Sequence, residues 1–73
     1  MLYATASDLG QASLRAKNYS EALRYYGEAA AARPQEAGPH QRMAEIYALT
    51  GQAAQAQAEQ EKADQLAKGN GPS

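Results

Sequence analysis

Apolar and small residues recur along this chain at intervals of three and four, with polar residues between them. Leu9, Ala12, Leu14 and Ala16 make one such stretch, Ala22, Tyr26 and Ala29 a second, and Met43, Ile46, Tyr47 and Leu49 a third. That period runs an apolar face along a helix; a half-buried strand would alternate strictly. The residue types agree. The chain has no valine, one isoleucine (Ile46) and two threonines, so the branched side chains that favour sheets are nearly missing. Alanine, leucine, glutamine, glutamate, arginine and lysine dominate instead, and these lose little freedom in a helix.

Punctuation divides the pattern into four predicted helices. Thr5 and Asp8 have the spacing of a capping box and open the first, with the turn before them as an alternative start. Asn18-Tyr19-Ser20-Glu21 is a stronger box: Asn18 caps the free amides and Glu21 reaches back. It opens a second helix that runs to about Arg33, where Pro34 forbids continuation. Gly38-Pro39 opens the third, with proline at the first helical position, where its missing N–H costs nothing. Gly51 ends it through the left-handed backbone that glycine tolerates. A fourth helix runs from about Ala53 to Ala67 and stops at Gly69. Residues 69–73, Gly-Asn-Gly-Pro-Ser, read as a disordered C-terminal tail. Links of about two to five residues force antiparallel neighbours. The expected fold is therefore all-α: two antiparallel helix-turn-helix hairpins in series.

The two hairpins are copies in size pattern. An offset of 34 residues pairs Leu9 with Met43, Gly10 with Ala44, Ala12 with Ile46, Ala22 with Ala56 and Ala29 with Ala63. Gly10 facing Ala22 would let the first two helices approach closely, and Ala44 with Ala56 would do the same for the second pair. Tyr19 and Tyr26 would fill the volume these small residues leave, Tyr26 toward the following hairpin. Tyr25, about 100° further round the helix, is expected to be partly exposed.

These residues resemble the tetratricopeptide repeat, a 34-residue helix-turn-helix. In the first copy Leu9-Gly10, Tyr19, Ala22, Tyr26, Ala29 and Pro34 stand where the family pattern wants them. The departures are Ala6 for a large aromatic, Ser13 for a tyrosine and Lys17 for the turn glycine. The second copy keeps Ala44, Tyr47, Gly51, Ala56 and Ala63, and lacks the tyrosine at Ala53, the aromatic at Gln60 and the proline at Lys68. The resemblance covers residues 3–68 as two repeats, 3–36 and 37–68, and implies a short α-solenoid with right-handed superhelical stacking. It also implies a concave groove lined by the first helix of each hairpin, where a partner protein lays an extended peptide or a helix. By position the groove takes Ser7, Gln11, Leu14 and Arg15 from the first copy, and Gln41, Arg42, Glu45 and Ala48 from the second. The lysines and asparagines with which some members clamp a chain-terminal carboxylate are missing at the matching positions, so that function is not carried over.

Size and charge narrow the function further. At 73 residues the chain holds one domain with a marginal core, burying about 60% of its unfolded surface. It has no cysteine, which removes thiol nucleophiles, thiolate zinc sites and disulfides. Its net charge is −1, with the seven basic residues scattered among acidic ones, so no face is expected to track nucleic acid. No apolar run approaches the roughly 20 residues of a membrane span. Met1-Leu2-Tyr3 lacks the charged start and apolar stretch of a secretory leader. Either the chain stays where it is made, with the cytoplasm favoured, or a leader has been removed and the compartment is the periplasm.

Candidate chemistry is sparse. His40 is the one histidine, in the first turn of the third helix, where it is expected to pack or cap between the hairpins. It has neither the nucleophile and orienting acid of a general base nor co-ligands for a metal. Glu59, Glu61 and Asp64 read as a solvated helix face, and Arg42 with Glu45, three apart, as a surface pair. The glycines are isolated and form no phosphate loop. No catalytic residue, cofactor or metal is expected. The expected role is non-enzymatic: an adaptor, assembly factor or accessory subunit that binds a protein segment.

The ends carry the remaining alternatives. The last helix is apolar almost only through alanine, with Leu66 its one large residue, and Gln52, Gln55, Gln57, Gln60 and Gln65 suit it to be a wetted cap. Met1, Leu2, Tyr3 and Leu14 would leave an apolar edge on the first helix. That edge fits docking on a partner, a homodimer through the first helix, or a place in a longer repeat array or structural complex.

Overall fold

A computed structural model describes residues 2–70. Four helices and no strand form within them: α1 (Tyr3–Arg15), α2 (Tyr19–Ala32), α3 (Gly38–Leu49) and α4 (Ala53–Asn70). Links of three, five and three residues join them, and each helix packs on the next: α1 on α2, α2 on α3, α3 on α4. The Cα envelope measures 38 × 28 × 15 Å. Its short side fits two layers of helices, since axes about 10 Å apart and a Cα radius of about 2.3 Å on each side make about 15 Å.

The two hairpin turns are built alike. After α1, Lys17 takes a left-handed φ of +64°, and after α3 Gly51 takes +79°. Around Lys17 the Asn18 N–H donates to the Ser13 carbonyl (2.8 Å) and the Lys17 N–H to Leu14 (3.0 Å). Around Gly51 the Gln52 N–H donates to Tyr47 (2.8 Å) and the Gly51 N–H to Ala48 (3.3 Å). Both are Schellman closures, which satisfy the last carbonyls of a helix and reverse the chain. The position where Lys17 replaces the expected glycine keeps the glycine conformation.

Helix starts differ from their sequence expectations. α1 begins at Tyr3 with Leu2 as its cap residue, so Thr5 and Asp8 lie inside the helix and form no capping box. At α2, Asn18 occupies the cap position but its side chain makes no cap hydrogen bond. Its backbone (φ −87°, ψ 77°) is committed to closing the preceding turn, away from the extended geometry that aims a cap side chain at the free amides. Glu21 still sits in the first turn, where its charge complements the helix dipole. α3 starts at Gly38-Pro39 and ends before Gly51, both as expected. α4 runs past the expected stop: Gly69 continues the helix to Asn70. Residues 71–73, the rest of the expected tail, lie outside the described residues, as does Met1.

The core is small and centres on the joint between hairpins. Ala22 and Tyr26 of α2 cluster with Met43 and Ile46 of α3, and Leu14, Tyr19, Leu23, Ala30 and Tyr47 pack around them. Tyr26 is thus a core residue directed at the second hairpin, while Tyr25 beside it is half-buried under the Arg24 guanidinium, 4.7 Å from its ring. Gly10 has a different neighbour from the one expected. A Cβ built there would meet the Tyr26 ring at 3.0–3.1 Å, so the close approach is of ring to backbone. Ala6, Ala22, Ala29 and Ala63 are fully buried, which lets the helices of each hairpin sit close.

Candidate protein-binding groove

The Tyr26 ring that packs against Gly10 also reaches the seam between α1 and α3. Ser7, Gln11 and Tyr3 from α1, Gly38, Pro39 and Arg42 from α3, and Tyr26 between them line a cleft of about 160 Å³. Helical spacing brings Ser7 and Gln11 to one face, four residues apart. Pro39, fully buried, seats the first turn of α3 and sets Arg42 opposite them. Tyr3 is held by Arg33, whose guanidinium lies 5.0 Å from its ring. Burial raises the pKa of the Tyr26 hydroxyl above the usual 10.0; the Arg42 charge lowers it and the Glu45 charge raises it. At neutral pH Tyr26 is therefore an uncharged phenol, a donor and acceptor at the base of the cleft.

Arg42 also donates to the Glu45 carboxylate at 3.1 Å, the surface pair expected from their spacing. Its side chain remains 53% exposed. Gln41 and Glu45 face a second, shallower groove with Ala44, Ala48, Ala56, Gln57 and Gln60, of about 460 Å³, along the α3–α4 seam. The structure thus divides the predicted groove residues. Ser7, Gln11 and Arg42 share one cleft, and Gln41 and Glu45 the next. Leu14 packs against the core cluster, and Arg15 is exposed at the end of α1. Tyr3 and Tyr26 join the cleft unpredicted: Tyr3 had been assigned to the outer apolar edge, and Tyr26 only to the core.

His40 does not bridge the hairpins. Its Nδ1 lies 2.7 Å from Glu59 Oε1, joining α3 to α4 within the second hairpin. The two side chains are 12% and 20% exposed, so Glu59 is not part of a solvated acidic face. The signal was available: His40 and Glu59 stand 34 residues after Ala6 and Tyr25. A small residue and a large ring in one copy answer to a hydrogen-bonded pair in the other. His40 also borders a hollow of about 490 Å³ on the opposite side, with Ala30, Pro34, Lys62 and Leu66. Among the described residues, no three His, Cys, Asp or Glu side chains gather around a metal-sized site. No helix among them is long and apolar enough to cross a membrane.

Comparison with curated proteins and with solved structures returns no match. A family model described as tetratricopeptide repeat matches residues 13–71, from the last turn of α1 through α4. Proteins of this family generally mediate protein–protein interaction and are typically not enzymes. With the matched span, the paired hairpins and the duplicated turns at Lys17 and Gly51, the chain belongs to the tetratricopeptide repeat family.

Proposed function

We propose that this chain is a small adaptor, assembly factor or accessory subunit whose two repeats, 3–36 and 37–68, bind a segment of a partner protein along α1 and α3. The observation that carries this reading is the cleft where Ser7, Gln11 and Arg42 converge beside the Tyr3 and Tyr26 rings. It offers an amide, two hydroxyls, an exposed cation and apolar ring surface, which suits an extended or helical segment bearing an acidic residue. Gln41 and Glu45 extend the contact along the neighbouring groove, with Leu14 and Arg15 at its α1 end. A structural subunit, or a place in a longer array, is the reading that the exposed apolar edge of α1 favours; the charges flanking that edge fit another occupant better.

Selection of displayed random peptides against the chain, followed by amide chemical-shift mapping, tests the groove. Selected peptides should be enriched in acidic residues and shift Ser7, Gln11 and Arg42, and Arg42→Ala should weaken them about tenfold. Shifts confined to α2 and α4 would sink the reading.

A further inference from the structure

α1 carries a second face that no residue of the chain covers. Leu2, Thr5, Leu9, Ala12 and Ala16 follow one another at intervals of three and four and are all exposed, Leu2 by 78% and Leu9 by 38%. The stripe contains no charge. Its counterpart 34 residues on, Pro39, Met43 and Ile46, is the face of α3 buried against the first hairpin. Tyr3 and Leu14, expected on the outer edge, are turned inward, so this stripe is the apolar edge of the described residues. Asp8 and Arg15, seven residues apart, flank the stripe on one side. Both are exposed, and neither makes an ion pair or side-chain hydrogen bond within the described residues.

We propose that a second copy of this chain covers the stripe, with the two α1 helices packed antiparallel. Intervals of three and four form the seam of a coiled coil, and in an antiparallel pair the residues just before each seam position face their counterparts across it. With Leu9 opposite Ala12 of the second copy, Thr5 lies opposite Ala16 and the helices overlap fully. Asp8 then faces Arg15 of the second copy, and Arg15 faces its Asp8. The charges also select this register. A slip of one heptad toward the N-terminus sets Asp8 against Asp8, and a slip the other way sets Arg15 against Arg15. Parallel pairing brings neither opposite pair together.

The other end of the chain does not fit the stripe as well. Where the first hairpin presents Leu23 and Tyr26 to α3, the second presents Gln57 and Gln60, and the Gln60 amide donates to Asp64 at 3.0 Å. Head-to-tail stacking would bury these amides, whereas the α1–α1 contact is closed and two-fold. One short helix face buries less than the roughly 1,200 Å² of a stable complex, so the dimer is weak, with a Kd on the order of 100 micromolar.

Sedimentation velocity on the whole chain, from about 10 micromolar to about 2 millimolar, tests this against that Kd. The wild type should move from monomer to dimer across the range, with the dimer weakened by added salt. Asp8→Arg and Arg15→Asp should each weaken it about tenfold, and the double exchange D8R/R15D should restore it. Helicity by circular dichroism verifies that each variant is folded, which exposed positions should permit. A chain that stays monomeric throughout overturns the proposal, and assigns the stripe to a preceding hairpin or a different protein. So does a dimer indifferent to the single reversals, or single losses that the double exchange fails to repair. Because Arg15 also borders the groove, peptide binding by the monomeric Asp8→Arg variant separates the two surfaces.

Discussion

Glycine at position 10 and glycine at position 27 lie in neighbouring helices, yet their surroundings are opposite. A methyl group at Gly10 would press on the ring of Tyr26, which is 4% exposed and held by Met43 and Ile46. A methyl group at Gly27 meets nothing within 4 Å. Alanine gains about 1 kcal/mol over glycine in a helix interior, but forcing a packed ring aside costs about 1–3 kcal/mol. Gly27→Ala should therefore raise the melting temperature by several degrees, and Gly10→Ala should lower it. Equal shifts in a thermal melt would mean that the Tyr26 ring yields freely. The sequence marks both positions as glycine within helical pattern; only the neighbour tells them apart. Tyr26 shows the same limit: its size and spacing make it core, but its place at the base of the cleft depends on which helix lies opposite.

The hairpin turn is the element whose chemistry is most fully readable. Gly51 announces a left-handed closure, and the 34-residue offset carries that expectation to Lys17, where the structure bears it out at φ +64°. A lysine held left-handed costs about 1–2 kcal/mol. Glycine would relieve that strain but adds freedom to the unfolded chain, so Lys17→Gly should stabilise by a net of about 0.5–1 kcal/mol. Urea unfolding measures it, and a fall in the midpoint would show that Lys17 gains something from its side chain that outweighs the strain. Helix starts were less legible. The boxes at Thr5 and Asn18 are competent by composition, yet α1 starts earlier and Asn18 serves the preceding turn. A capping residue reports that a helix can begin there; the chain before it decides whether the side chain is aimed at the amides. The far end of α4 has the same cause, since a glycine stops a helix only when its backbone turns left-handed, and Gly69 does not.

At the scale of the whole molecule, two hairpins depend on one joint. Ile46 is fully buried at that joint with Met43, Ala22 and Tyr26. Removing its side chain beyond Cβ in Ile46→Ala should cost about 2–4 kcal/mol, a large share of what a chain this short has to spare. Because neither hairpin buries its face alone, the loss should lower one shared transition. Two separate transitions, followed by fluorescence of the first hairpin's tyrosines and by amide signals from α4, would show that the hairpins are stable apart.

The order of residues alone determined the helices, their antiparallel pairing, the repeat length and the family, because each rests on spacing or on local backbone preference. Tertiary structure decided the pairings. It joined His40 to Glu59, turned Tyr3 and Leu14 inward, divided the groove residues between two clefts, and left Leu2 and Leu9 facing water. Periodicity states which residues share a face of a helix. What that face meets depends on how the helices rotate and cross, and contacts far apart in the chain settle that together.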